Sequence, residues 1–248
     1  MAANICEIDG FKFIVTNDWE AWRAETLLTK EMGTIAWIRS EAKPGDVFYD
    51  IGACAGSYTM VAGREVGPEG VVYAFEPNAN NISHLFANIH LNKYLDRVEV
   101  ITSALGDQEG FFRFFYSSHT AGTSGAQLYD TVMENGQNYI PAAAEIKHAT
   151  TVDRLLDEQV IRPANLIKLD VDGDELRILN GMAALLKHRP PRSIQVEIHP
   201  IDDAAIGALL AGFGYTFKER HFTEMGKTMI ASGVDPTTIS HNAVFCYA

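Results

Sequence analysis

One glycine-rich segment and one acidic residue are the features of the sequence best suited to binding a ligand. The segment is Asp50-Ile51-Gly52-Ala53-Cys54-Ala55-Gly56-Ser57, and it lies between an apolar run and a helical pattern. Gly52 and Gly56 permit a tight turn and a close approach of the backbone to a ligand. Glu76-Pro77 ends the next apolar run, where a carboxylate can accept hydrogen bonds from both ribose hydroxyls of a nucleoside. Together the two features indicate a nucleoside cofactor.

Both features also have a purely structural explanation. The glycines could form a strand-to-helix turn without a ligand, and Glu76 could stabilise the start of a helix through the helix dipole. Asp50 could accept hydrogen bonds from the loop amides or contact the ammonium group of a bound amino acid. A dinucleotide fingerprint needs a middle glycine where this chain has Cys54. The spacing therefore disfavours a nicotinamide cofactor and favours one without a pyrophosphate.

A second acidic segment, Asp170-Val171-Asp172-Gly173-Asp174-Glu175, holds four carboxylates in six residues. Crowded carboxylates raise one another's pKa, which can produce a general base, and they could also hold a divalent cation. The alternative is an acidic helix start. We expect Asp170 and Asp172 to be functional and Asp174 and Glu175 to be structural, and we predict no metal ligands.

Three further side chains are expected near this acidic segment. Lys168 lies two residues before Asp170, so it shares that face of the strand and needs a partner, either Asp170 or Glu197. Glu197 and His199 end the next apolar run. His199 could deprotonate a hydroxyl near neutral pH, or it could be a surface histidine beside Pro200.

The surrounding pattern predicts a doubly wound α/β fold with a mostly parallel sheet. Strand-like apolar runs alternate with helical patterns, which implies crossover connections. The strand-like runs are 47–50, 71–76, 98–101, 166–170 and 193–197, and the helical patterns are 57–65, 77–89, 175–186 and 204–213. Ser57 is a candidate N-cap for the first of these helices. Runs 215–217 and 243–247 fit a closing antiparallel pair.

The domain boundaries follow from the same pattern. Residues 43–248 are expected to form the α/β domain, and residues 1–42 an N-terminal cap of a strand and helices. Apolar residues between Trp19 and Ile38 recur at helical spacing and predict one or two amphipathic helices. Residues 108–150 read as an insertion with an extra strand at 111–116 and a small polar loop at 117–125. The cap and this loop are the expected sites of substrate selection.

The composition excludes several classes of protein. The net charge is −12 and no cluster of lysine or arginine occurs, which disfavours a nucleic-acid substrate and an anionic membrane surface. The three cysteines are widely spaced, so neither a disulfide framework nor a cysteine zinc site is expected. No signal-peptide pattern and no apolar stretch of about 18 residues is found. We expect a cytoplasmic protein without a membrane span, and the sequence predicts no oligomeric state.

Five motifs in order resemble the FkbM-type methyltransferases, from about Lys30 to the C-terminus. They are Lys-Pro-Gly-Asp-Val at 43–47, Asp-Ile-Gly-Ala-x-x-Gly-x-Tyr-Thr at 50–59, Ala-Phe-Glu-Pro at 74–77, Ala-Leu-Gly-Asp at 104–107 and Ile-Lys-Leu-Asp-Val-Asp-Gly-Asp-Glu at 167–175. The resemblance implies a seven-stranded fold of class I with one antiparallel closing strand, helices on both faces and an N-terminal helical cap. It also implies the cofactor S-adenosylmethionine. The sequence departs from the family at Asp172, where glutamate is common, and at Asp174, where a small residue is usual.

The resemblance also implies roles for individual residues. The loop residues are expected near the methionine part of the cofactor, Glu76 on the ribose, and Ser103 and Ala104 near the adenine. The full set of expected cofactor contacts is Asp50, Gly52, Ala53, Gly56, Tyr58, Thr59, Glu76, Pro77, Ser103, Ala104 and Asp170. The expected catalytic residues are Lys168, Asp170, Asp172, Glu197 and His199.

Methylation of a hydroxyl on a sugar, a glycan or a secondary metabolite is the activity that the resemblance favours. Two alternatives are a nicotinamide-dependent oxidoreductase and a non-catalytic nucleoside-binding module on the same fold.

Overall fold

The structure, a computed structural model, describes residues 4–131 and 137–248 of the chain, so part of the expected insertion lies outside the described residues. Its strands are, in chain order, β1 (Asn4–Ile8), β2 (Phe11–Val15), β3 (Val47–Ile51), β4 (Val71–Phe75), β5 (Val98–Ile101), β6 (Ala104–Leu105), β7 (Gly110–Tyr116), β8 (Gln127–Leu128), β9 (Ala143–Thr150), β10 (Leu166–Leu169), β11 (Ser193–Ile198), β12 (Tyr215–His221) and β13 (His241–Tyr247). Its helices are α1 (Asp18–Glu25), α2 (Met32–Glu41), α3 (Ser57–Val66), α4 (Ala79–Leu91), α5 (Val152–Asp157), α6 (Glu175–Asn180), α7 (Ala183–His188), α8 (Asp203–Gly212) and α9 (Glu224–Ala231).

A seven-stranded sheet in the order β12-β13-β11-β10-β3-β4-β5 forms the centre of the molecule. Its strands are parallel except β13, which is antiparallel to both β11 and β12. The mostly parallel sheet and its antiparallel closing pair are as the sequence predicts. Every residue of β3, β4 and β10 is buried, as expected for parallel strands covered on both faces.

Helices cover both faces of this sheet, and each face has its own hydrophobic core. Alternate residues of β3 divide between the two cores: Tyr49 and Ile51 point to one face and Phe48 to the other. The first core includes residues of α5 to α8, and the second includes residues of the N-terminal segment, α3 and α4. Packing from both sides fixes the carboxyl ends of the parallel strands, where ligands bind in folds of this type.

The N-terminal cap differs from the expectation of a helical cap, because β1 and β2 form an antiparallel hairpin before α1 and α2. The reason is a period-two pattern in β2: Phe11 and Phe13 are 2% and 3% exposed, whereas Lys12 faces solvent. Both predicted helices are present. Trp37 of α2 is buried in the second core, and its indole N–H donates a hydrogen bond to Ser193 at 2.9 Å.

The helix predicted over 175–186 is two short helices, α6 and α7. A Cβ at Gly181 would collide with the carbonyl oxygen of Gly106, so the chain must approach closely there without a side chain. The carboxylate of Asp153 accepts hydrogen bonds from the amides of Ala184 and Leu185 and stabilises the start of the second helix.

The N-cap of α3 is Gly56, with φ of 90°, rather than Ser57. The predicted insertion forms most of a separate four-stranded sheet in the order β6-β9-β7-β8, and α9 was not predicted. All three cysteines are free. Within 4–131 and 137–248, no helix combines the length and the apolar character that crossing a membrane requires.

Candidate active site

A large cavity opens at the carboxyl ends of β3, β4, β10 and β11, with an empty volume of about 970 Å³. The predicted site residues that line it are Gly52, Glu76, Pro77, Ser103, Ala104, Asp170, Asp172 and Glu197. The remaining predicted residues are not part of this lining: Asp50, Ala53, Gly56, Tyr58, Thr59, Lys168 and His199.

The glycine-rich loop has the tight conformation that its sequence predicts. Gly52 has φ of 84°, and a Cβ there would collide with the carbonyl oxygen of Asp170. Gly56 also has a positive φ, and a Cβ there would lie 2.7 Å from the side chain of Leu85. Cys54 adopts φ of 52° without being a glycine. The glycines are therefore required by close packing of the loop against β10 and α4.

Glu76 joins the end of β4 to this loop. One carboxylate oxygen accepts a hydrogen bond from the amide of Cys54 at 2.6 Å, and the other accepts one from the amide of Asn78 at 2.7 Å. Burial raises the pKa of Glu76 to about 7, although these two bonds oppose the shift. Each carboxylate oxygen has a further lone pair for a ligand hydroxyl. The structural and ligand-binding explanations of Glu76 are thus compatible.

Asp50 is fully buried beneath the loop. Its carboxylate accepts a hydrogen bond from Thr59 at 2.5 Å and lies 3.5 Å from the ammonium group of Lys168. These contacts take the place of the loop-amide bonds that the sequence suggested. In this arrangement Asp50 supports α3 and Lys168 from below the cavity.

Lys168 pairs with Asp170, as one of the two predicted alternatives requires. The ammonium group is 1% exposed and lies 3.0 Å from the Asp170 carboxylate. Burial would raise the pKa of Asp170, but the charges of Lys168 and Lys30 hold it well below its usual range. An ionised carboxylate is therefore maintained at the end of β10, on the wall of the cavity.

Glu197 is the protonated neighbour of that carboxylate. Burial raises its pKa well above the usual range, and the negative charge of Asp170 raises it further. Two like charges beside each other cannot both ionise cheaply, so these surroundings favour the protonated form of Glu197, which can donate a hydrogen bond to Asp170. The cavity wall thus presents one carboxylate and one carboxylic acid side by side.

Asp172 connects the β10 end to the small polar loop of the insertion. Its carboxylate accepts a hydrogen bond from the amide of Gly125 at 2.8 Å, and its carbonyl oxygen accepts one from the side chain of Gln127. Asp172 has φ of 64°, a left-handed conformation. Burial, followed by the charge of Asp170, raises its pKa. Asp172 therefore shapes the cavity as well as lining it.

The two acids after Asp172 have different surroundings. Glu175 is buried and accepts hydrogen bonds from the amides of Val171 and Gly173 at 2.9 and 3.3 Å, a structural role. Asp174 lines the cavity and forms an ion pair with Arg177 at 3.3 Å.

His199 is not a surface histidine, because it is 1% exposed. Its Nδ1 lies 2.8 Å from the hydroxyl of Ser240, and its Nε2 lies 3.7 Å from the Glu197 carboxyl. The imidazole stands behind Glu197 and does not line the cavity. It is placed to support Glu197 rather than to contact an acceptor.

Two groups of side chains could converge on one cation. Ligand atoms of Asp170, Asp172 and Glu197 lie within 4.8 Å of one another, as do those of Glu175, Glu197 and His199. Lys168, however, already neutralises Asp170 at 3.0 Å. The buried ammonium group of Lys168 would repel a metal ion bound to Asp170. The carboxyl groups of Asp170 and Glu197 therefore fit a pair that shares a proton better than they fit a metal site.

The structure adds lining residues from the cap, the start of α4 and the insertion that were not predicted individually. They are Arg23, Lys30, Glu31, Asn78, Asn81, Phe114, Thr123, Ser124, Gly125, Ala126 and Leu128. The helical spacing of the cap predicted its helices but not which side chain reaches the cavity. The glycine-rich composition of 117–125 was the available signal for the loop, whose residues 123–125 do line the cavity.

The strand order, the single antiparallel strand and the cavity at the carboxyl edge define a Rossmann-like methyltransferase. Residues 50–223 match the methyltransferase FkbM domain, and the chain belongs to this family of methyltransferases. The family and the enzyme class expected from the sequence motifs are thereby confirmed.

Two curated relatives match most of the chain. A hexuronic acid methyltransferase, AglP, of Haloferax volcanii is 26% identical over 216 residues, which cover 84% of this chain and 79% of the relative. The 31-O-demethyl-FK506 methyltransferase FkbM of Streptomyces tacrolimicus is 31% identical over 199 residues, covering 71% and 75% respectively.

Solved structures of other methyltransferases share the fold. A structure described as a putative rRNA-methylase from Clostridium thermocellum aligns with a TM-score of 0.54 and 11% identity, over 88% of this chain and 95% of that one. Precorrin-6y C5,15-methyltransferase from Geobacter metallireducens aligns with a TM-score of 0.51 and 12% identity, over 91% and 88%. At these identities the likeness concerns the fold alone.

Proposed function

We propose that this protein transfers the methyl group of S-adenosylmethionine to a hydroxyl oxygen of a small-molecule or glycan acceptor. The observation that carries the proposal is the convergence of the Gly52 loop, Glu76 and Asp170 on one cavity at the carboxyl edge of the sheet. The methyltransferase family supplies the reaction class, and the side chains at the cavity supply the chemistry.

We assign each part of the cofactor to a group of side chains in the cavity lining. Apolar side chains surround Ser103 and Ala104, which suits an adenine ring; they are Leu105, Phe114, Leu128 and Ile178. Glu76 stands at the end of β4 with lone pairs for the ribose hydroxyls. The Gly52 loop and Asp170 are not used by the adenine or the ribose, so we assign them to the methionine part of the cofactor. A sulfonium carries a positive charge, which the acidic lining favours.

The nicotinamide alternative is disfavoured by the same geometry. The amide of Cys54, which a pyrophosphate would need, already donates to Glu76. Cys54 also stands at the position of the middle glycine in a dinucleotide loop, with a positive φ and with a side chain that the glycine would lack.

The proposed chemistry requires alignment of donor and acceptor and removal of one proton. When bound, S-adenosylmethionine supplies an activated methyl group. Asp170, held ionised by Lys168, accepts a hydrogen bond from the acceptor hydroxyl and takes its proton as the oxygen attacks. Glu197, which carries a proton, orients Asp170 and prevents a second charge from accumulating beside it. His199 supports Glu197 from behind.

The acceptor class is proposed from the relatives together with the cavity. One relative is named for a hexuronic acid and the other for a secondary metabolite. Lys30, Glu31 and residues 123–125 also line the cavity, and we assign this polar part of the lining to the acceptor. Polar side chains of this kind favour a hydroxyl-rich acceptor, and we place a sugar or glycan first.

Two measurements test the proposal. Thermal unfolding with S-adenosylhomocysteine and with NAD should show stabilisation by the first compound only, because a ligand that binds the folded state raises the unfolding temperature. Transfer of a labelled methyl group should then be measured over a panel of sugars, glycans and hydroxylated metabolites. Stabilisation by NAD alone would overturn the proposal. Cofactor binding with no transfer to any hydroxyl acceptor would favour a non-catalytic module.

A further inference from the structure

Positively charged side chains at the cavity differ in whether their charge is already paired. Lys168 lies beneath the lining and forms ion pairs with Asp170 and Asp50. Lys30 forms an ion pair with Glu31 at 2.6 Å. Arg23 lines the cavity but, in the part of the chain that the structure describes, forms no ion pair. Arg23 therefore holds the charge that remains available for an anionic ligand group.

The guanidinium of Arg23 is held by a hydrogen bond from Nε only. Its Nε donates a hydrogen bond to the carbonyl oxygen of Gly122 at 2.5 Å. Neither Nη group has a hydrogen-bond partner among residues 4–131 and 137–248. A guanidinium is a planar fork whose unused donors match a carboxylate geometrically. The Gly122 contact thus orients Arg23 while leaving two donor groups free.

The position of Arg23 along the cavity identifies the end of the cofactor that it faces. The proposed function assigns the adenine ring to the apolar lining beside Ser103 and Ala104, and the ribose to the Glu76 carboxylate. Arg23 also lines a small second cavity together with Ser57 and Tyr58, directly after the glycine-rich loop, and it interacts electrostatically with Cys54, Asp170 and Asp172. These are the residues to which the proposed function assigns the methionine part.

The methionine part of S-adenosylmethionine is a zwitterion, and its two charged groups need opposite surroundings. An ammonium group suits the acidic wall of Asp170 and Asp172. A carboxylate would be repelled by the same wall unless a cation stood beside it, because burial without a partner is costly. Given the proposed function, we propose that Arg23 binds the methionyl carboxylate of the cofactor through its Nη groups.

This assignment makes α1 part of the cofactor site. Arg23 would then connect the cofactor to Gly122, whose main-chain N–H in turn donates a hydrogen bond to the side-chain oxygen of Asn81 on α4, at 2.8 Å. Cofactor binding should therefore stabilise α1 and the small polar loop together. The cap would contribute to cofactor recognition as well as to acceptor selection.

The test compares two ligands that differ in the amino-acid part. S-adenosylhomocysteine contains the carboxylate, whereas 5′-methylthioadenosine keeps the adenosine and sulfur but lacks it. Calorimetry should be performed on the full chain and on Arg23→Met, Arg23→Lys and Arg39→Met. Arg39 lies on α2 in an exposed ion pair with Asp9, so its variant is a matched control.

We expect Arg23→Met to weaken S-adenosylhomocysteine binding roughly tenfold to a hundredfold, the range for hydrogen bonds to charged groups. Binding of 5′-methylthioadenosine should be unchanged. Arg23→Lys should recover part of the lost affinity, and Arg39→Met should behave as the unmodified protein.

Three outcomes would overturn the assignment. Equal losses for both ligands would show that Arg23 acts by holding the Gly122 loop. Unchanged binding of both ligands, with a raised KM for the acceptor, would place Arg23 in the acceptor site. If the unmodified protein bound neither ligand, the proposed function itself would fail. Circular dichroism and the unfolding temperature of each variant separate these results from a folding defect.

Discussion

The main-chain N–H of Cys54 donates a hydrogen bond to the carboxylate of Glu76 at 2.6 Å. This bond joins the glycine-rich loop after β3 to the acidic end of β4. Two ligand-binding features that are separate in the sequence are thus one structural unit. Because Glu76 also accepts a hydrogen bond from the amide of Asn78, a single carboxylate organises a loop and the start of α4. Its ionisation should therefore influence cofactor binding directly.

Replacing Glu76 with glutamine should weaken S-adenosylhomocysteine binding by about tenfold or more. The amide keeps the size of the side chain but offers one acceptor oxygen, and each charge-assisted bond contributes about 1.5–3 kcal/mol. Isothermal calorimetry gives the affinity, and the unfolding temperature shows whether the fold persists. Glu99→Gln, at an exposed position of β5, is the control. Unchanged affinity in Glu76→Gln would remove the ribose assignment.

The affinity for the cofactor should fall as the pH is lowered below about 7. Burial raises the pKa of Glu76 from an ordinary 4.5 to about 7, so the free protein protonates this side chain in a neutral range. A carboxylate that must be ionised to accept both ribose hydroxyls loses affinity by about tenfold per pH unit below its pKa.

The stability of the unliganded protein should show the opposite dependence on pH, because of the same Glu76 carboxyl. A carboxyl whose folded pKa is raised binds its proton more tightly in the folded state, so its contribution to stability decreases as the pH rises from about 4.5 to 7. Isothermal calorimetry with S-adenosylhomocysteine between pH 6 and 8 measures the effect on affinity, and unfolding measurements between pH 4.5 and 7 measure the effect on stability. Both are made on the unmodified protein and on Glu76→Gln. A variant with the same pH profile as the unmodified protein would contradict it.

The fold and the positions of Gly52 and Glu76 at the cavity could be predicted from the sequence because their signals are local. The pattern of a buried strand followed by Gly52, or by Glu76, is recognisable within about ten residues of sequence. Parallel strands then bring their carboxyl ends to the same edge of the sheet. The alternation of strand-like apolar runs with helical patterns also predicted the mostly parallel sheet. The Lys168–Asp170 pair followed from period-two spacing along a single strand.

The remaining features depend on contacts between distant parts of the chain. Arg23 reaches the cavity because α1 packs against the loop at Gly122, 99 residues away. No periodicity within the cap specifies that direction. His199 is buried because it contacts Ser240, 41 residues further on. The break between α6 and α7 follows from the approach of Gly181 to Gly106. Such features require the packed structure.

Introducing a methyl group at Gly52 should disrupt both stability and cofactor binding. The backbone has φ of 84°, and the new Cβ would collide with the carbonyl oxygen of Asp170. Gly45 has φ of 87° but no heavy atom within 4 Å of a Cβ, so Gly45→Ala is a matched control. The control should cost about 1–2 kcal/mol for the left-handed conformation alone.

Gly52→Ala should lower the unfolding temperature clearly further than Gly45→Ala. It should also lose the stabilisation that S-adenosylhomocysteine provides, because the loop can no longer pack against β10. Thermal unfolding with and without the ligand measures both effects. Equal unfolding temperatures for the two variants, with ligand stabilisation retained, would show that this loop is not the cofactor site.

Asp170 and Glu197 stand side by side but should differ in their importance for turnover. Asp170 is held ionised by Lys168, whereas burial and the neighbouring charge keep the pKa of Glu197 high. Asp170→Asn removes a charge that the reaction uses, and general acid–base catalysis typically contributes a factor of about 10²–10⁴. Glu197→Gln replaces a neutral acid with a neutral amide of similar shape and should cause a much smaller loss.

The comparison should be made on kcat, on the affinity for S-adenosylhomocysteine and on thermal stability. Asp170→Asn should lower kcat at least a hundredfold with a much smaller change in affinity. Asp50 remains 3.5 Å from Lys168 and limits the loss of stability in this variant. Chelation of divalent ions should leave the turnover unchanged, because the ammonium group of Lys168 already neutralises the Asp170 carboxylate that a metal ion would bind. Loss of activity in chelator, restored by Mg²⁺, would instead assign Asp170 to a metal. Near-normal turnover in Asp170→Asn together with a large loss in Glu197→Gln would transfer the role of base to Glu197.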